Sequence, residues 1–403
     1  MVFPTGWGYK FKFTSDSTKV NASVKGLALD LSNVTSALFW SNVKSDGSDI
    51  RITTDEAGTS LVARDVVSID TTAETGLIRL DTSGISTSAD TDYYVYYGNS
   101  SATEPESTGV YDSNMVAYYT LNNTTDNKIG TNNLNYQNSS SYVDGFFNTG
   151  RRITNKNQTI YSDSAYTTSN ISASKWYYYE GTGGSWNTLF CRDGGSNHHI
   201  LIQDGTDRIG GYWSGSFRDT GFSLTTNTWY RVTFVKTGNT HRIIINGVSQ
   251  GYWSSSFDNN SVGGLRIFSG HNTSGSTQGA LGIHDETMIY DKELSVDEDL
   301  TFYNNESDNA SFWTINAPSP TVIFSIKGTC LFNGSLVSGA KVSCINQNTN
   351  ELVGHTTSDE NGEWEFSGLN GSDLYHVVAS LEDGEDKFNH LSFYDIEPKE
   401  EEE

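Results

Sequence analysis

The stretch that decides the fold reads Asn227-Thr-Trp-Tyr-Arg-Val-Thr-Phe-Val-Lys-Thr-Gly-Asn-Thr-His-Arg-Ile-Ile-Ile-Asn-Gly-Val-Ser-Gln-Gly251. Two β-prone runs, 229–235 and 241–245, flank a turn whose Gly238-Asn239 centre tolerates positive φ. A second reversal at Asn246-Gly247 leads into a third run. The stretch therefore predicts a three-strand antiparallel meander.

Composition describes an acidic, aromatic and polar chain. Its 403 residues include 49 acidic and 25 basic side chains, a net charge of -24, which argues against nucleic acid and anionic membranes as partners. Hydrophobic residues make up only 35%, yet 12% of the chain is aromatic, a profile typical of short strands joined by polar turns. The sequence predicts an all-β protein of two or three domains, and it leaves a neutral glycan or a protein surface open as a partner.

The order of residue types in the opening stretch resembles the concanavalin A-like, laminin-G-like lectin domains. A later stretch, 282–300, resembles the closing strand and short helix of that family. The resemblance implies a jelly-roll β-sandwich over residues 109–316, with a helical turn or two near 295–303. Because this sandwich carries lectins, hydrolases and plain spacers, the fold alone does not decide the function.

The N-terminal region also alternates in the manner of strands. Tyr9-Lys-Phe-Lys-Phe13 places aromatic side chains on one face and lysines on the other. The segments 38–54 and 92–99 resemble an uncharacterised all-β domain that often precedes laminin-G-like domains in bacterial, archaeal and phage surface proteins. We read the aspartates at 46, 49 and 55 as turn-forming, because their spacing does not match a calcium loop.

A third module follows the paired prolines at 318 and 320. Ser338-Gly-Ala-Lys-Val-Ser-Cys344 and Thr356-Thr-Ser-Asp-Glu-Asn-Gly-Glu-Trp-Glu-Phe366 resemble the carboxypeptidase regulatory-like family of small immunoglobulin-like sandwiches. In that reading, Asp359 and Gly362 set the tight turn before a strand. Residues 319–403 hold 16 acidic and 4 basic side chains, so the C-terminus is expected to be a solvated acidic tail.

The predicted architecture is therefore all-β, with three β-sandwich-type domains in series. An N-terminal all-β domain occupies 1–108, a concanavalin A-like jelly roll occupies 109–316, and an immunoglobulin-like domain occupies 317–397. An acidic tail, 398–403, ends the chain. The boundaries follow the prolines, which cannot donate to a β-ladder and gather at linkers.

An internal echo supplies the candidate glycan-binding residues. Gly211-Tyr-Trp-Ser-Gly-Ser-Phe217 and Gly251-Tyr-Trp-Ser-Ser-Ser-Phe257 match at six of seven positions. Since successive strand side chains face opposite ways, one ring of each pair, Tyr212 or Trp213 and Tyr252 or Trp253, should reach solvent and could stack on a pyranose face. The alternative is that both strands carry core aromatics.

The resemblance to concanavalin A-like domains also implies a structural calcium ion. Asp285 would take the late position, with Asp112 or Asn122 as early partners, because hard oxygen ligands suit calcium. Asp285 could instead be a turn or cap residue. We expect His198 and His199 to be surface residues, since neighbours on a strand cannot face one metal.

The three cysteines do not form a disulfide framework. A bridge between Cys330 and Cys344 is conceivable, but free buried thiols are favoured for both and for Cys191. No apolar run is long enough for a transmembrane helix, so membrane insertion is not predicted. Met1-Val-Phe-Pro-Thr-Gly-Trp7 lacks the features of a signal peptide.

Catalysis has no support in the sequence. Retaining glycoside hydrolysis needs two carboxyl groups roughly 5 Å apart, and residues 109–316 lack the Glu-x-Asp-x-x-Glu run of hydrolases with this fold. Glu363 and Glu365 share a strand face, but they alternate with Trp364 and Phe366, which suggests two acids in water over two core aromatics. We therefore predict a protein that is not an enzyme.

Display modules without an export signal suggest a bacteriophage virion protein. The expected location is the virion surface, as a tail fibre, tail appendage or capsid decoration with a lectin-like domain for host attachment. Its expected partners are other virion proteins and a host-surface glycan, and a homo-oligomer is compatible with the sequence. The alternatives are a bacterial or archaeal cell-surface glycan-binding protein and a polysaccharide-active enzyme of the same fold.

Overall fold

The computed structural model describes residues 6–104, 108–192, 197–254, 264–273, 277–321, 324–332, 335–347, 349–369, 374–380, 391–396 and 399–400. Strands dominate these residues, as the all-β prediction requires. No helix among them is long and apolar enough to span a bilayer. The chain divides into two compact units, one built from Lys12–Val95 and Ser101–Asn316 and the other from Met1–Phe11, Tyr96–Ser100 and Ala317–Glu403.

The N-terminal region contains short strands and three helical turns. Its strands are β1 (Tyr9–Ser15), β2 (Leu27–Asp30), β3 (Arg51–Thr53), β4 (Leu61–Val62), β5 (Arg64–Asp70), β6 (Thr75–Leu80) and β7 (Asp92–Tyr97). The α-helical turn α1 (Ala37–Trp40) and two 3-10 turns, Ser17–Lys19 and Leu31–Asn33, lie between them. Strand β1 alternates as predicted, with Phe11 and Phe13 buried. The aspartates at 46 and 55 accept hydrogen bonds from backbone amides within their own turns, which confirms them as turn residues.

The next strands form a two-layered sandwich. They are β8 (Met115–Tyr119), β9 (Leu134–Gln137), β10 (Ser141–Asp144), β11 (Thr149–Ile153), β12 (Thr159–Tyr166), β13 (Asn170–Tyr179), β14 (Asn187–Arg192), β15 (His198–Ile202), β16 (Arg208–Trp213), β17 (Ser216–Ser223), β18 (Thr228–Thr237), β19 (Thr240–Ile245), β20 (Val248–Ser254), β21 (Leu265–Ser269) and β22 (Gly282–Tyr290). One sheet has eight strands in the order β10-β11-β22-β13-β18-β19-β20, with β8 paired to β22. The other has seven, in the order β17-β16-β15-β14-β21-β12-β9. Inward side chains of both sheets share one hydrophobic core.

The predicted meander is confirmed as β18, β19 and β20. Its second turn has positive φ at both centre residues, 51° at Asn246 and 74° at Gly247, the geometry that matches the twist of a hairpin. Strand β13 is buried on both faces over most of its length. The reason is that residues beyond the sandwich cover its outward side chains.

Helix α2 (Val296–Ser307) confirms the predicted helix and runs one turn further. Ser295 and Glu298 form a capping box at its start, which satisfies two backbone amides that the helix itself leaves unpaired. After α2 come α3 (Asn309–Phe312) and β23 (Trp313–Ile315), which pairs with residues 13–15 of β1. Within the larger unit, residues 313–315 thus pair with the N-terminal strand.

A buried charge network ties these parts of the unit together. Arg79 of β6 donates to Glu286 of β22 at 2.6 Å and to Glu306 of α2 at 2.7 Å. Arg231 of β18 donates to the same Glu306 at 2.8 Å and to Asp299 at 3.1 Å. All five side chains are fully buried. The boundary predicted near residue 108 therefore lies inside one compact unit, because Arg79 has its partners beyond it.

The second unit contains the C-terminal strands. They are β24 (Ser319–Pro320), β25 (Phe324–Thr329), β26 (Leu331–Phe332), β27 (Ser335–Leu336), β28 (Lys341–Asn346), β29 (Glu351–Thr357), β30 (Glu363–Leu369), β31 (Tyr375–Ser380), β32 (Leu391–Ile396) and β33 (Lys399–Glu400). Sheets β30-β25-β33 and β29-β28-β31-β32 carry one small core that includes the buried Cys330 and Cys344. All three cysteines of the chain are free thiols, as favoured from the sequence.

The turn before β30 has the predicted construction. The Asp359 carboxylate accepts hydrogen bonds from the amides of Asn361 and Glu363, both at 2.8 Å, and Gly362 has φ 71°. The predicted tail, 398–403, lies outside the described residues except for the short strand β33.

Candidate functional site

The echoing Tyr-Trp pairs lie on the two different sheets of the sandwich. Trp213 on β16 is fully buried, and Trp253 on β20 packs against the same core from the opposite sheet. The two indole rings meet with centroids 6.1 Å apart and planes at 76°. Each tryptophan is therefore the core member of its pair, and each tyrosine points outward.

The outward tyrosines cannot form one platform, because they face away from each other. Tyr252 is 60% exposed on the eight-stranded sheet and lies near Arg242, 5.4 Å from its guanidinium carbon. Tyr212 is half-buried on the seven-stranded sheet. Of the two, Tyr212 has more aromatic neighbours.

An aromatic patch surrounds Tyr212, and we define it as Trp186, Tyr212 and Phe217. The Trp186 ring lies edge-on to both others, at 6.1 Å from Tyr212 and 5.5 Å from Phe217. Tyr212 and Phe217 are direct cross-strand partners of β16 and β17. A Cβ atom at Gly210 would lie 2.7 Å from the Phe217 ring, so this glycine leaves the space that the ring occupies. All three rings are half-buried and held by strands or by a neighbouring ring.

Sequence reasoning found only one of the three patch residues. Phe217 could have been predicted from the sequence, because it ends the echoed heptapeptide and follows the turn after Tyr212. Trp186 had no such signal, because it comes from a separate connection before β14. The pairing of strands brings the three together.

His198 and His199 are both buried, so the prediction that they are surface residues was wrong. His198 packs against Tyr212 and stacks on His271 at 5.4 Å, and its Nδ1 lies 3.0 Å from Thr188 Oγ1. Burial, with His271 nearby, lowers the pKa of His198 to about 3. His198 is therefore neutral at pH 7, and it is an uncharged cross-strand neighbour of Tyr212 on the same face of the sheet.

His199 faces the opposite way, into the core. It stacks on Phe234 at 4.0 Å and on His241 at 5.5 Å. Adjacent strand positions thus place two histidines on opposite sides of one sheet, which is consistent with the prediction that they cannot share a metal.

Asp285 holds a turn in this structure. Its Oδ2 accepts hydrogen bonds from the amides of Phe146 and Phe147 at 2.8 and 3.0 Å, and its Oδ1 accepts one from the amide of Glu286. A β-bulge, with Glu286 at φ 46°, turns the two successive carboxylates to the same side of β22. Burial, reinforced by the charge of Glu286, raises the pKa of Asp285 well above its usual value.

The predicted early calcium ligands are engaged elsewhere. Asp112 pairs with Lys292 at 2.7 Å, and Asn122 accepts a hydrogen bond from the amide of Thr149 at 3.2 Å. Amide and ammonium donors occupy the oxygens that a cation would need, so these three residues do not fit calcium. Within the described part of the chain, no cluster of three or more His, Cys, Asp or Glu is arranged for a metal.

The acidic side chains of β30 alternate with buried aromatic side chains, as predicted from the sequence. Trp364 and Phe366 are buried, while Glu363 and Glu365 are exposed on the other face of β30. On the strand paired with Tyr212, Asp219 is bound to Arg208 at 2.9 Å. Glu363 and Glu365 line an open pocket of about 590 Å³ together with Asp359 and Lys327, so paired carboxylates occur on the C-terminal unit and not beside Tyr212 among the residues that the structure describes.

Comparison with known families agrees with two of the three resemblances drawn from the sequence, and no family model matches the C-terminal module. Residues 152–298 match the model of the concanavalin A-like lectin/glucanases superfamily. Residues 46–133 match a domain of unknown function, DUF2341. The chain thus carries a concanavalin A-like domain preceded by a DUF2341 domain, and the latter match runs past residue 108. No curated protein matches the chain.

Solved structures give only distant similarities. Domain 4 of an extracellular arabinanase from Geobacillus stearothermophilus, in complex with arabinotriose, is 19% identical, with a TM-score of 0.40 over 47% of this chain and 98% of that one. A Trypanosoma rangeli sialidase in complex with sialic acid is 10% identical, with a TM-score of 0.42 over 63% of this chain and 46% of that one. The binding domain of botulinum neurotoxin serotype D is 13% identical, with a TM-score of 0.39 over 66% and 72%.

Proposed function

We propose that this chain is a non-enzymatic glycan-binding protein whose concanavalin A-like domain presents the patch of Trp186, Tyr212 and Phe217 to a sugar. The observation that carries the proposal is the outward position of Tyr212 among two more rings on a rigid sheet. Aromatic rings stack on the apolar face of a pyranose, and a strand-held ring loses little entropy on binding. The neutral His198 packs against Tyr212 without adding charge.

The chemistry of the patch favours binding over cleavage. Hydrolysis of a glycosidic bond needs an acid and a base or nucleophile on opposite sides of the bond. Asp219, the carboxylate on the neighbouring strand, is neutralised by Arg208. The lack of a free carboxylate pair around Tyr212, within the residues that the structure describes, supports a lectin-like role.

A glycan array tests the binding site. Wild-type protein should bind one or more neutral glycans, and Tyr212→Ala should weaken that binding by roughly 1 to 3 kcal/mol, by analogy with stacking of bases on aromatic rings. Tyr252→Ala is the matched control, because it removes an exposed tyrosine from the other sheet. Binding that survives Tyr212→Ala in a folded variant would refute this placement of the site.

The competing hypothesis is a polysaccharide-active enzyme of the same fold. Purified protein incubated with polysaccharides from candidate host surfaces should release no reducing ends above a heat-treated control. Measurable release would make the chain an enzyme and overturn the non-enzymatic role.

We further propose that the protein is displayed on a bacteriophage particle as a tail fibre, tail appendage or capsid decoration, and attaches the particle to a host-surface glycan. The order of modules supports this, with the C-terminal unit as an immunoglobulin-like module and other virion proteins as its partners. Antibodies raised against the protein should label intact particles, and tail or capsid genes should neighbour its gene. Failure of both would favour a cell-surface protein.

A further inference from the structure

A second set of aromatic side chains lies on the outward face of the eight-stranded sheet, opposite the patch. Four residues are in direct cross-strand register there: Arg152 on β11, Ile283 on β22, Tyr178 on β13 and Trp229 on β18. All four are half-buried. We call this row, together with Phe146, the aromatic shelf.

The rings of the shelf support one another. Trp229 lies 5.3 Å from Tyr178 and 5.5 Å from Phe146, and Phe146 stacks on the buried Trp176 at 3.6 Å with nearly parallel planes. The carboxylate of Asp285 fixes the backbone at Phe146, so the shelf is held in place from below. The shelf is therefore a rigid half-exposed surface beside the covered part of the sheet.

Polar groups at the shelf are available to a ligand. Among the described residues, neither the indole N–H of Trp229 nor the hydroxyl of Tyr178 has a hydrogen-bond partner. At the other end of the row, Arg152 pairs with Glu180 at 2.8 Å, and the two side chains are 43% and 20% exposed. This pair offers donors and an acceptor side by side while carrying no net charge.

From this geometry we infer that the shelf is a second glycan-binding site, for a neutral pyranose that has one apolar face and adjacent hydroxyl groups. The apolar face would stack on Trp229 and Tyr178, and the hydroxyl groups would bond to Arg152 and Glu180. The neutral pair and the chain's net charge of -24 disfavour an anionic sugar. The inference rests on the proposed glycan-binding function and adds a site on the opposite sheet.

Two sites facing away from each other would let one protein bridge two glycan chains or bind one surface with increased avidity. Linked binding events raise the overall affinity only when both sites can be engaged together. The shelf and the patch differ in their polar neighbours, so the two sites need not prefer the same sugar.

The test uses an array of neutral gluco-, galacto-, manno- and arabino-oligosaccharides, followed by equilibrium titration of each hit with the full-length protein. Trp229→Ala should weaken at least one hit about tenfold or more. Trp229→Phe keeps a ring and should retain binding within about threefold of wild type. Tyr252→Ala, on the same sheet but outside the shelf, and Tyr212→Ala should leave that hit unchanged. Thermal unfolding of each variant checks that it is folded.

The outcomes separate the two proposals. If wild type binds a glycan and every hit survives Trp229→Ala, or if Tyr212→Ala alone abolishes all binding, the shelf is not a glycan site and the proposed function stands. If wild type binds nothing on the array, both proposals fail. If Trp229→Ala changes only self-association or capture of a protein, the shelf is a protein-binding surface and the inference is overturned.

Discussion

Three buried carboxylates share two guanidinium groups at the centre of the larger unit. Glu306 contacts both Arg79 and Arg231, and although burial alone would raise its pKa, the two arginines lower it. Burial outweighs the single arginine beside each of the other two carboxylates, so the pKa values of Glu286 and Asp299 are raised. Glu306 therefore binds a proton less readily than Glu286 or Asp299.

Replacing one of these arginines should therefore lower the stability of the folded protein. Arg231→Met leaves Asp299 and part of Glu306 buried without their cation, and we expect a loss of roughly 3 to 5 kcal/mol in the free energy of unfolding. The matched control is Arg208→Met, whose pair with Asp219 is about 40% exposed and should contribute less than about 1 kcal/mol. Urea unfolding measures both, and equal effects would contradict the importance of the network.

A buried histidine makes stability depend on pH. Burial, with Lys236 nearby, lowers the pKa of His241 to about 3, whereas the unfolded chain protonates it near 6.5. Between these values the unfolded state binds the extra proton, so stability is complete above about pH 6.5 and falls as the pH decreases toward 3. From pH 7 to pH 5, wild type should lose about 2 kcal/mol more than His241→Phe. Parallel stability curves for the two proteins would refute this.

The hairpin between β19 and β20 shows how a local turn and helix packing depend on one residue. Gly247 has positive φ, and a Cβ there would lie 2.7 Å from the Cα atom of Leu300 in α2. Glycine is required here for two reasons: it adopts the positive φ of the turn, and its lack of a Cβ atom allows the helix to approach closely.

Gly238, in the preceding turn of the same meander, separates these two effects. It also has positive φ, 52°, but a Cβ there would meet nothing within 4 Å. Gly238→Ala should cost about 1 kcal/mol from backbone strain alone, and Gly247→Ala should cost clearly more, since α2 must also shift. Thermal or urea unfolding of the two variants compares them, and similar losses would show that the helix contact carries no cost.

For the larger unit as a whole, the ion pairs of Arg79 predict that unfolding is a single cooperative transition. Strand β6 carries Arg79 and strand β22 carries Glu286, and among the described residues neither forms an ion pair on its own side of residue 108. Hydrogen exchange of the full chain should give β6 and β22 similar protection, because they open only together. Rapid exchange in β6 while β22 stays protected would show two independent domains.

The sequence predicted elements with local signals and missed those that depend on distant partners. The meander, β1, the capped helix and the Asp359 turn follow from alternation, glycine turns and caps, all readable within a few residues. The burial of His198 and His199 and the outer burial of β13 depend on strands and a helix far along the chain. Phe217 joined the patch through strand pairing, and Trp186 through the packing of a separate loop, neither of which alternation can reveal.

If the protein binds a neutral glycan and does not hydrolyse it, one measurement tests both the binding and the absence of cleavage. Protein is mixed with an intact polysaccharide that was positive on the array, and size-exclusion chromatography with light scattering follows the mixture over several hours. We predict that the protein co-elutes with the polymer and that the molar mass of the polymer, measured after dissociation, stays constant. Separate elution of protein and polymer, or a falling polymer mass, would contradict the account.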